Sequence, residues 1–167
     1  KQTVHAVCAS LYSFSKPHYI SSFAIFTKKG SPELKSVKDL NGKRIIVIKG
    51  DIGADYLREK GINASVQTIT DYKDLLILLA NSDYQYAMMD QLVGLYWINK
   101  LNIDDVYTTN LSLFPLKYCF ASSINNKDLA LEIDGAMSIL MQNNKYDEIY
   151  TKWMAHKDQT KILAWTL

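Results

Sequence analysis

The sequence is poor in residues that carry redox or metal chemistry. It has two cysteines, Cys8 and Cys119, and three histidines, His5, His18 and His156. No Cys-x-x-Cys motif and no Cys/His cluster is present, so a structural zinc site is not expected. No cofactor-binding motif was found either. The two cysteines lie far apart in the sequence, and they fit one disulfide or two buried thiols equally well.

Arginine is also scarce, since Arg44 and Arg58 are the only two in the chain. The net charge is +2, and the lysines are scattered without interleaved aromatic residues, which argues against a nucleic-acid partner. No apolar run is long enough to cross a bilayer, and no signal-peptide pattern is present. A processed chain also lacks such a signal, so its absence does not place the protein in the cytoplasm.

The middle of the chain alternates between strand and helix patterns. Hydrophobic residues make up 48% of the sequence, enough core for one domain or two small lobes. The alternation predicts an α/β layer sandwich with a mainly parallel sheet over residues 43–109. The predicted strands are 44–48, 65–69, 85–89 and 105–109, and two of the predicted helices are 53–60 and 91–101. Between them a third helix is predicted, capped by Thr70 or Asp71 and burying Leu75, Leu76, Leu78 and Leu79.

Both ends of the chain contribute a second set of elements. The extended segments are 3–9, 19–27 and 114–123, and helical spacing of apolar residues predicts helices at 126–143 and 145–154. These helices need a sheet to cover, and the remaining strands come from both ends. We therefore expect a discontinuous lobe 1 (residues 1–22 and 119–167) and a lobe 2 (residues 23–118), with two crossings between them.

Three short motifs resemble those of the family 3 extracytoplasmic solute-binding proteins. They are "FSKP" at 14–17, "DLNGKRIIVIKG" at 39–50 and "KW" at 152–153, and the resemblance covers residues 4–154. It implies a type 2 periplasmic binding fold, with two three-layer α/β/α lobes joined by two hinge strands and the ligand in the cleft between them. It also implies a location in the periplasm or on the outer face of the membrane.

Lobe 1 departs from the family pattern in two places. The strand–helix–strand that begins this lobe in the family is absent before Lys1. Ser13 also runs directly into Phe14, where the family has a further segment that includes an arginine. A deletion at this point would remove the outer edge of the cleft. We therefore favour the alternative that the sequence joins two ordered segments across a disordered loop whose residues are left out, and we expect lobe 1 to be incomplete.

In lobe 2, the resemblance implies ligand contacts at two strand ends. The first is the strand-to-helix turn of Gly50, Asp51, Ile52 and Gly53, where a helix N-terminus attracts anions. Amino-acid binders of the family have Ser or Thr at the position of Asp51, which alternatively only caps the helix. The second is Asp90, whose family counterpart receives the ligand's amino group. Asp90 can also cap helix 91–101, and both roles can hold.

In lobe 1, the resemblance implies ligand contacts from Ser10, Leu11 and Ser13, at the end of strand 3–9. Tyr19 and Tyr118, on the hinge strands, could shelter an apolar part of the ligand or could simply pack in the core. The ligand is expected to be an amino acid, an amine or a small carboxylate. Asp51 and Asp90, together with the lack of an arginine where the family has one, favour a cationic or amine-bearing ligand.

The sequence favours a sensor domain that passes ligand-driven closure to a transmembrane segment and a histidine kinase or cyclase. The tail supports this reading, because it ends in the apolar residues 162–165 and 167. The alternative is the binding subunit of an ABC amino-acid transporter, which docks on a membrane permease. An enzyme of the same fold is a third reading, but Asp51 and Asp90 are its only acid/base candidates, and binding accounts for them more simply.

Overall fold

The computed structural model describes residues 10–153, and for Trp153 the backbone only. The predicted strand 3–9, Cys8 and the tail after Trp153 lie outside the described residues. Within them, no helix combines the length and apolar character needed to cross a bilayer. The strands are β1 (Tyr12–Phe14), β2 (Tyr19–Lys28), β3 (Arg44–Ile48), β4 (Ser65–Ile69), β5 (Tyr86–Asp90), β6 (Val106–Tyr118) and β7 (Ala121–Ser123). The helices are α1 (Ile52–Glu59), α2 (Tyr72–Asn81), α3 (Gln91–Leu101), α4 (Lys127–Gln142) and α5 (Lys145–Trp153), with a 3-10 turn at Val37–Leu40.

The chain divides into two compact units. Unit 1 comprises Lys1–Ile20 and Lys117–Leu167, and unit 2 comprises Ser21–Leu116. Both boundaries fall inside strands, because β2 and β6 continue from one unit into the other. The predicted lobe boundaries lie two residues away from these positions.

Unit 2 is built on a five-stranded sheet of order β4-β3-β5-β2-β6. Strand β3 pairs in parallel with β4 and β5, whereas β2 is antiparallel to β5. The carboxyl ends of β3, β4 and β5 therefore share one edge of the sheet with the amino end of β2. We call this the carboxyl edge of unit 2.

One strand differs from the prediction. Residues 105–109 and 114–123 were predicted as separate extended segments, but β6 runs without a break from Val106 to Tyr118. Half-buried and exposed residues alternate along much of it, which is the pattern of a strand with one covered face. Pro115 is tolerated because β6 is an edge strand of the sheet.

The core of unit 2 covers both faces of its sheet. Ile46 and Ile48 of β3 pack on one face with buried leucines of α2 and with Ile98 of α3. Ile45 and Val47 point to the other face, where the cluster includes side chains from α1 and the 3-10 turn. Burial on both faces explains why β3 reads as an unbroken apolar run.

Unit 1 has much less core. Within its described part, β1 and β7 form a short antiparallel pair, with Ser13 opposite Ser122. Among the described residues of unit 1, Ala130 is the only buried hydrophobic residue, whereas Leu131 and Ile139 of α4 are 68% and 61% exposed. The apolar spacing of residues 129, 133, 136, 137 and 140 correctly predicts helix α4, but these residues are half-buried or exposed. A two-stranded sheet offers too little surface to cover this helix. Cys119 is half-buried and forms no disulfide with another residue of the range 10–153.

Two helical glycines give a matched test of the packing. A Cβ added at Gly94 of α3 would lie 2.2 Å from Cζ of Phe26, whereas nothing lies within 4 Å of one added at Gly135 of α4. We expect Gly94→Ala to lower the free energy of unfolding by about 1–3 kcal/mol through overpacking. Gly135→Ala is expected to raise it by about 0.5–1 kcal/mol through helix propensity. Urea unfolding measures both, and equal effects at the two sites would contradict this packing.

Candidate functional site

An aspartate caps each of the three helices that start at the carboxyl edge of unit 2. Asp51 accepts a hydrogen bond from the Ile52 N–H at 2.7 Å, and Asp90 accepts one from the Val93 N–H at 3.1 Å. Asp71 accepts two from the first turn of α2. A helix N-terminus attracts anions through its unpaired N–H groups. Here an aspartate carboxylate of the chain itself already accepts hydrogen bonds at the N-terminus of each of these three helices.

Asp90 is almost completely buried, with 4% of its surface exposed. Besides the Val93 N–H, the hydroxyl of Ser21 donates to its Oδ1 at 3.0 Å. Ser21 reaches this position because β2 runs antiparallel to β5 with Phe23 opposite Asp90, so the residue two places earlier lies just beyond the strand end. A buried carboxylate is costly unless donors satisfy it. Ser21 is therefore part of the site, although nothing in the local sequence marks it.

The predicted turn before α1 has a tight backbone. Gly50 has a φ of +80°, a conformation that L side chains rarely adopt. Gly53 is buried, and a Cβ at this position would lie 3.3 Å from the Phe23 ring and from Val47. The turn thus holds the start of α1 against the sheet. Ile52, the remaining predicted residue, has its N–H bonded to Asp51.

Tyr72 is a member of the site that the sequence interpretation missed. It is the first residue of α2, is half-buried, and lies close enough to Asp51 and Asp90 to feel their charges. Its pKa is raised, first by burial and then by the negative charges of Asp51 and Asp90. The available signal was its position, one residue after the Asp71 cap at the neighbouring strand-to-helix junction. The structure thus brings Tyr72 together with Asp51 and Asp90, and Ser21 with Asp90.

The predicted lobe 1 residues lie in unit 1. Ser10 and Leu11 have helical backbone, and strand 3–9, at whose end they were predicted to lie, falls outside the described residues. They lead at once into β1, where pairing with β7 fixes the backbone, and the Ile124 N–H donates to the Leu11 carbonyl at 3.0 Å. Ser13 lies in β1 and is half-buried.

Tyr19 and Tyr118 are brought together in unit 1. Their ring centroids lie 5.8 Å apart, and the Tyr19 ring is also 6.2 Å from that of Tyr150 in α5. Tyr19 is half-buried and Tyr118 is 40% exposed. The Tyr19 ring thus packs against Tyr118 and against α5.

The chemistry of the carboxyl edge is that of a hydrogen-bond acceptor site. Two carboxylates and a phenol can accept hydrogen bonds from an ammonium or guanidinium group. Neither described arginine lies near this edge, because Arg44 starts β3 at its opposite end and Arg58 is in the last turn of α1. Within residues 10–153 no group of His, Cys, Asp or Glu side chains is arranged to hold a metal ion.

Comparison with known proteins places these features in context. The sequence profile of the bacterial extracellular solute-binding proteins, family 3, matches residues 5–156. The glutamine-binding protein of an ABC transporter from Bacillus subtilis (strain 168) is 28% identical over 142 residues, which are 84% of this chain and 51% of that protein. ABC transporter arginine-binding protein 1 from Escherichia coli (strain K12) is 24% identical, over 84% of this chain and 58% of that protein.

A solved structure adds a relative from signalling. The crystal structure of a histidine kinase sensor domain with similarity to periplasmic binding proteins aligns with a TM-score of 0.78 and 26% identity. The alignment covers 87% of this chain and 64% of that one. The chain thus spans between half and two thirds of the length of these relatives.

Titration of Tyr72 tests the geometry of the site. The difference in ultraviolet titration between the wild type and Tyr72→Phe isolates its ionisation. We expect Asp51→Asn to lower the pKa of Tyr72, because it removes a nearby negative charge, but to leave that pKa above its ordinary value, because burial is the largest cause of the shift. An unchanged titration in Asp51→Asn would contradict the contact.

The raised pKa also predicts a dependence of stability on alkaline pH. Because the folded-state pKa of Tyr72 exceeds that of the unfolded chain, its contribution is complete below the unfolded-state pKa. It is lost as pH rises through the folded-state pKa. Tyr72→Phe is therefore expected to lose less stability than the wild type over that range, measured by urea unfolding at stepped pH.

Proposed function

Because the chain belongs, as its motifs predict, to the bacterial extracellular solute-binding proteins of family 3, we propose that it is an extracytoplasmic domain that binds a small cationic solute. Asp90 and Asp51 receive the positive group of that solute. The observation that carries this proposal is the occupation of the helix N-termini at the carboxyl edge by the chain's own carboxylates. Closure of two lobes on the ligand is part of the same proposal.

Electrostatics favours a cation over an anion at this edge. A ligand carboxylate placed at the start of α1 would meet the Asp51 carboxylate, which already accepts the Ile52 N–H. Two like charges about 4 Å apart near a protein surface repel by up to about 4 kcal/mol. An ammonium or guanidinium group gains a comparable attraction and can donate to both acids, and the phenol of Tyr72 adds a further polar contact. Amines and amino acids with cationic side chains both meet this requirement.

The similarity of the arginine-binding protein supports a cationic amino acid as one member of this ligand class. Neither described arginine can clamp a ligand carboxylate here. Arg44 stacks over the Tyr84 ring at 4.3 Å, and Arg58 pairs with Asp55 on the surface of α1. Recognition at the carboxyl edge therefore depends on the positive group of the ligand.

We further propose that the domain is the sensor of a membrane receptor, with a histidine kinase or cyclase as its output. The fold shared with a histidine kinase sensor domain supports this role. The second candidate is the binding subunit of an ABC amino-acid transporter, which the similarity to the glutamine-binding protein favours. The full coding sequence separates the two. A receptor has a transmembrane segment and an output region on the same polypeptide, whereas a transporter subunit is encoded beside a permease.

A thermal-shift screen tests the ligand class. Amines, amino acids and small carboxylates are added separately at equal concentration to the wild type and to two variants. We expect cationic compounds to raise the melting temperature of the wild type, since a ligand at a hundred times its Kd stabilises by about 2.7 kcal/mol. Asp90→Asn should abolish the shift, because it removes the charge that the ligand meets.

Asp39→Asn is the matched control. Asp39 also caps a turn, accepting from the Lys35 and Ser36 N–H groups at 2.8 Å, but it lies before the amino end of β3, away from the carboxyl edge. This variant should keep the full ligand shift. A shift that survives Asp90→Asn, or one produced only by carboxylates without an amine, would contradict the proposal.

A further inference from the structure

We propose that the open edge of strand β4 is an interaction surface for a second copy of this chain. The two copies pair antiparallel through β4 and extend the five-stranded sheet of unit 2 across a two-fold axis. This surface is the side of an outer strand, distinct from the strand ends that carry Asp51 and Asp90. The proposal therefore goes beyond the proposed function.

Strand β4 is an open edge of the sheet. In the order β4-β3-β5-β2-β6 it is an outer strand, and among the described strands it pairs only with β3. Its first four residues, 65–68, are exposed, and Val66 has 38% of its surface accessible. An edge strand presents unpaired N–H and C=O groups that a further strand can bond.

The sequence of β4 does nothing to protect this edge. The strand reads SVQTI, which contains no charged residue, proline or glycine, and three of its five residues are β-branched. The other outer strand of this sheet, β6, contains Pro115 and Lys117, residues of the kind that prevent an edge from pairing. The contrast singles out β4 as the edge that is open to pairing.

Pairing with β3 fixes the direction of the backbone groups of β4. The Ser65 N–H donates to the Lys43 carbonyl at 2.9 Å, and the Ile69 carbonyl accepts from the Lys49 N–H at 2.8 Å. Backbone groups of successive residues in a strand point to opposite edges. The first, third and fifth residues of β4 therefore direct their backbone groups toward β3.

Val66 and Thr68, the second and fourth residues, direct their backbone groups to the open edge. Each offers one N–H and one C=O, so the edge presents two donors and two acceptors. The Gln67 side-chain amide donates to the Thr68 carbonyl at 3.3 Å. A carbonyl at this edge thus accepts from the nearest side-chain donor, and a partner strand would supply a backbone N–H in its place.

These outward groups are self-complementary. When two copies pair antiparallel about an axis at Gln67, Val66 of one copy lies opposite Thr68 of the other, and each such pair exchanges two N–H···O=C bonds. Every outward backbone group of both strands then has a partner. Gln67 faces its own counterpart, where two amides can bond each other, and no charge of β4 meets a like charge. Since the described sheet of unit 2 has one unprotected edge, the assembly closes as a dimer.

Sedimentation equilibrium of the chain from about 1 μM to about 1 mM tests the dimer, because a short strand pair is a small interface that associates weakly. We expect the mass to rise from monomer toward dimer and no further. Over the same range, hydrogen exchange at the Val66 and Thr68 amides should slow by at least about threefold, because these N–H groups gain a partner. The Gln67 amide, which faces β3, should not change.

Charge at position 67 separates this pairing from any other association. Gln67 is exposed, so a charged side chain here does not disturb the core. Gln67→Lys and Gln67→Glu each place like charges opposite one another at the axis, and each is expected to raise the dimer dissociation constant by at least about fivefold. An equimolar mixture of the two variants should associate again, because opposite charges then meet. Asn99→Lys is the matched control, since it adds a charge at an exposed position of α3 and should leave association unchanged.

Several results would overturn the proposal. They are a chain that stays monomeric up to about 1 mM, an association that Asn99→Lys weakens as much as Gln67→Lys, and a mixture of the two Gln67 variants that fails to associate. Val66 and Thr68 amides already protected in the monomer would mean that another segment of the same chain covers the edge, which also overturns it. None of these measurements needs a ligand, so a failed ligand screen leaves the dimer standing and a monomeric chain leaves the binding proposal untouched.

Discussion

The structure of unit 2 depends on how it accommodates one buried carboxylate. Asp90 ends β5 and starts α3, where the Val93 N–H and the Ser21 hydroxyl both donate to it. These two bonds tie β2 to the junction of β5 and α3, which lies 69 residues further along the chain. The same solution recurs at the neighbouring junctions, where Asp51 and Asp71 cap α1 and α2. Repetition of this cap places three aspartate carboxylates at the carboxyl edge, and the proposed ligand class is inferred from them.

Local patterns were enough to predict most of unit 2. The sequence predicts β3 and α3 with the observed bounds, because burial on both faces makes an unbroken apolar run and because Asp90 stands where a cap is needed. The cap at Asp90 and the turn at Gly50 follow from the same local rules. What local patterns cannot supply is long-range pairing. Ser21 lies 69 residues from Asp90, and only the antiparallel placement of β2 beside β5 brings them together. Tyr72 was missed for the same reason, since its partner Asp51 belongs to the preceding strand-to-helix junction.

Unit 1 shows the limit of periodicity as a predictor of burial. The apolar spacing of α4 correctly predicts a helix, but the residues at that spacing are only half-buried or exposed, because the described strands β1 and β7 offer a narrow sheet. Apolar periodicity predicts which face of a helix can be buried. Whether that face is buried depends on a neighbouring sheet or helix that is large enough to cover it. The chain covers 51% of the glutamine-binding relative. The proposed ligand chemistry depends on unit 2, where buried side chains cover both faces of the sheet.

Calorimetric titration with arginine and agmatine tests the central claim most directly. The two compounds share a guanidinium group, but agmatine lacks the α-carboxylate. If carboxylates of the chain recognise positive charge and no helix N-terminus is available for an anion, agmatine should bind with a Kd within about tenfold of that of arginine, a difference of at most about 1.4 kcal/mol. Binding of arginine without binding of agmatine, or binding of glutamate in preference to both, would contradict the account.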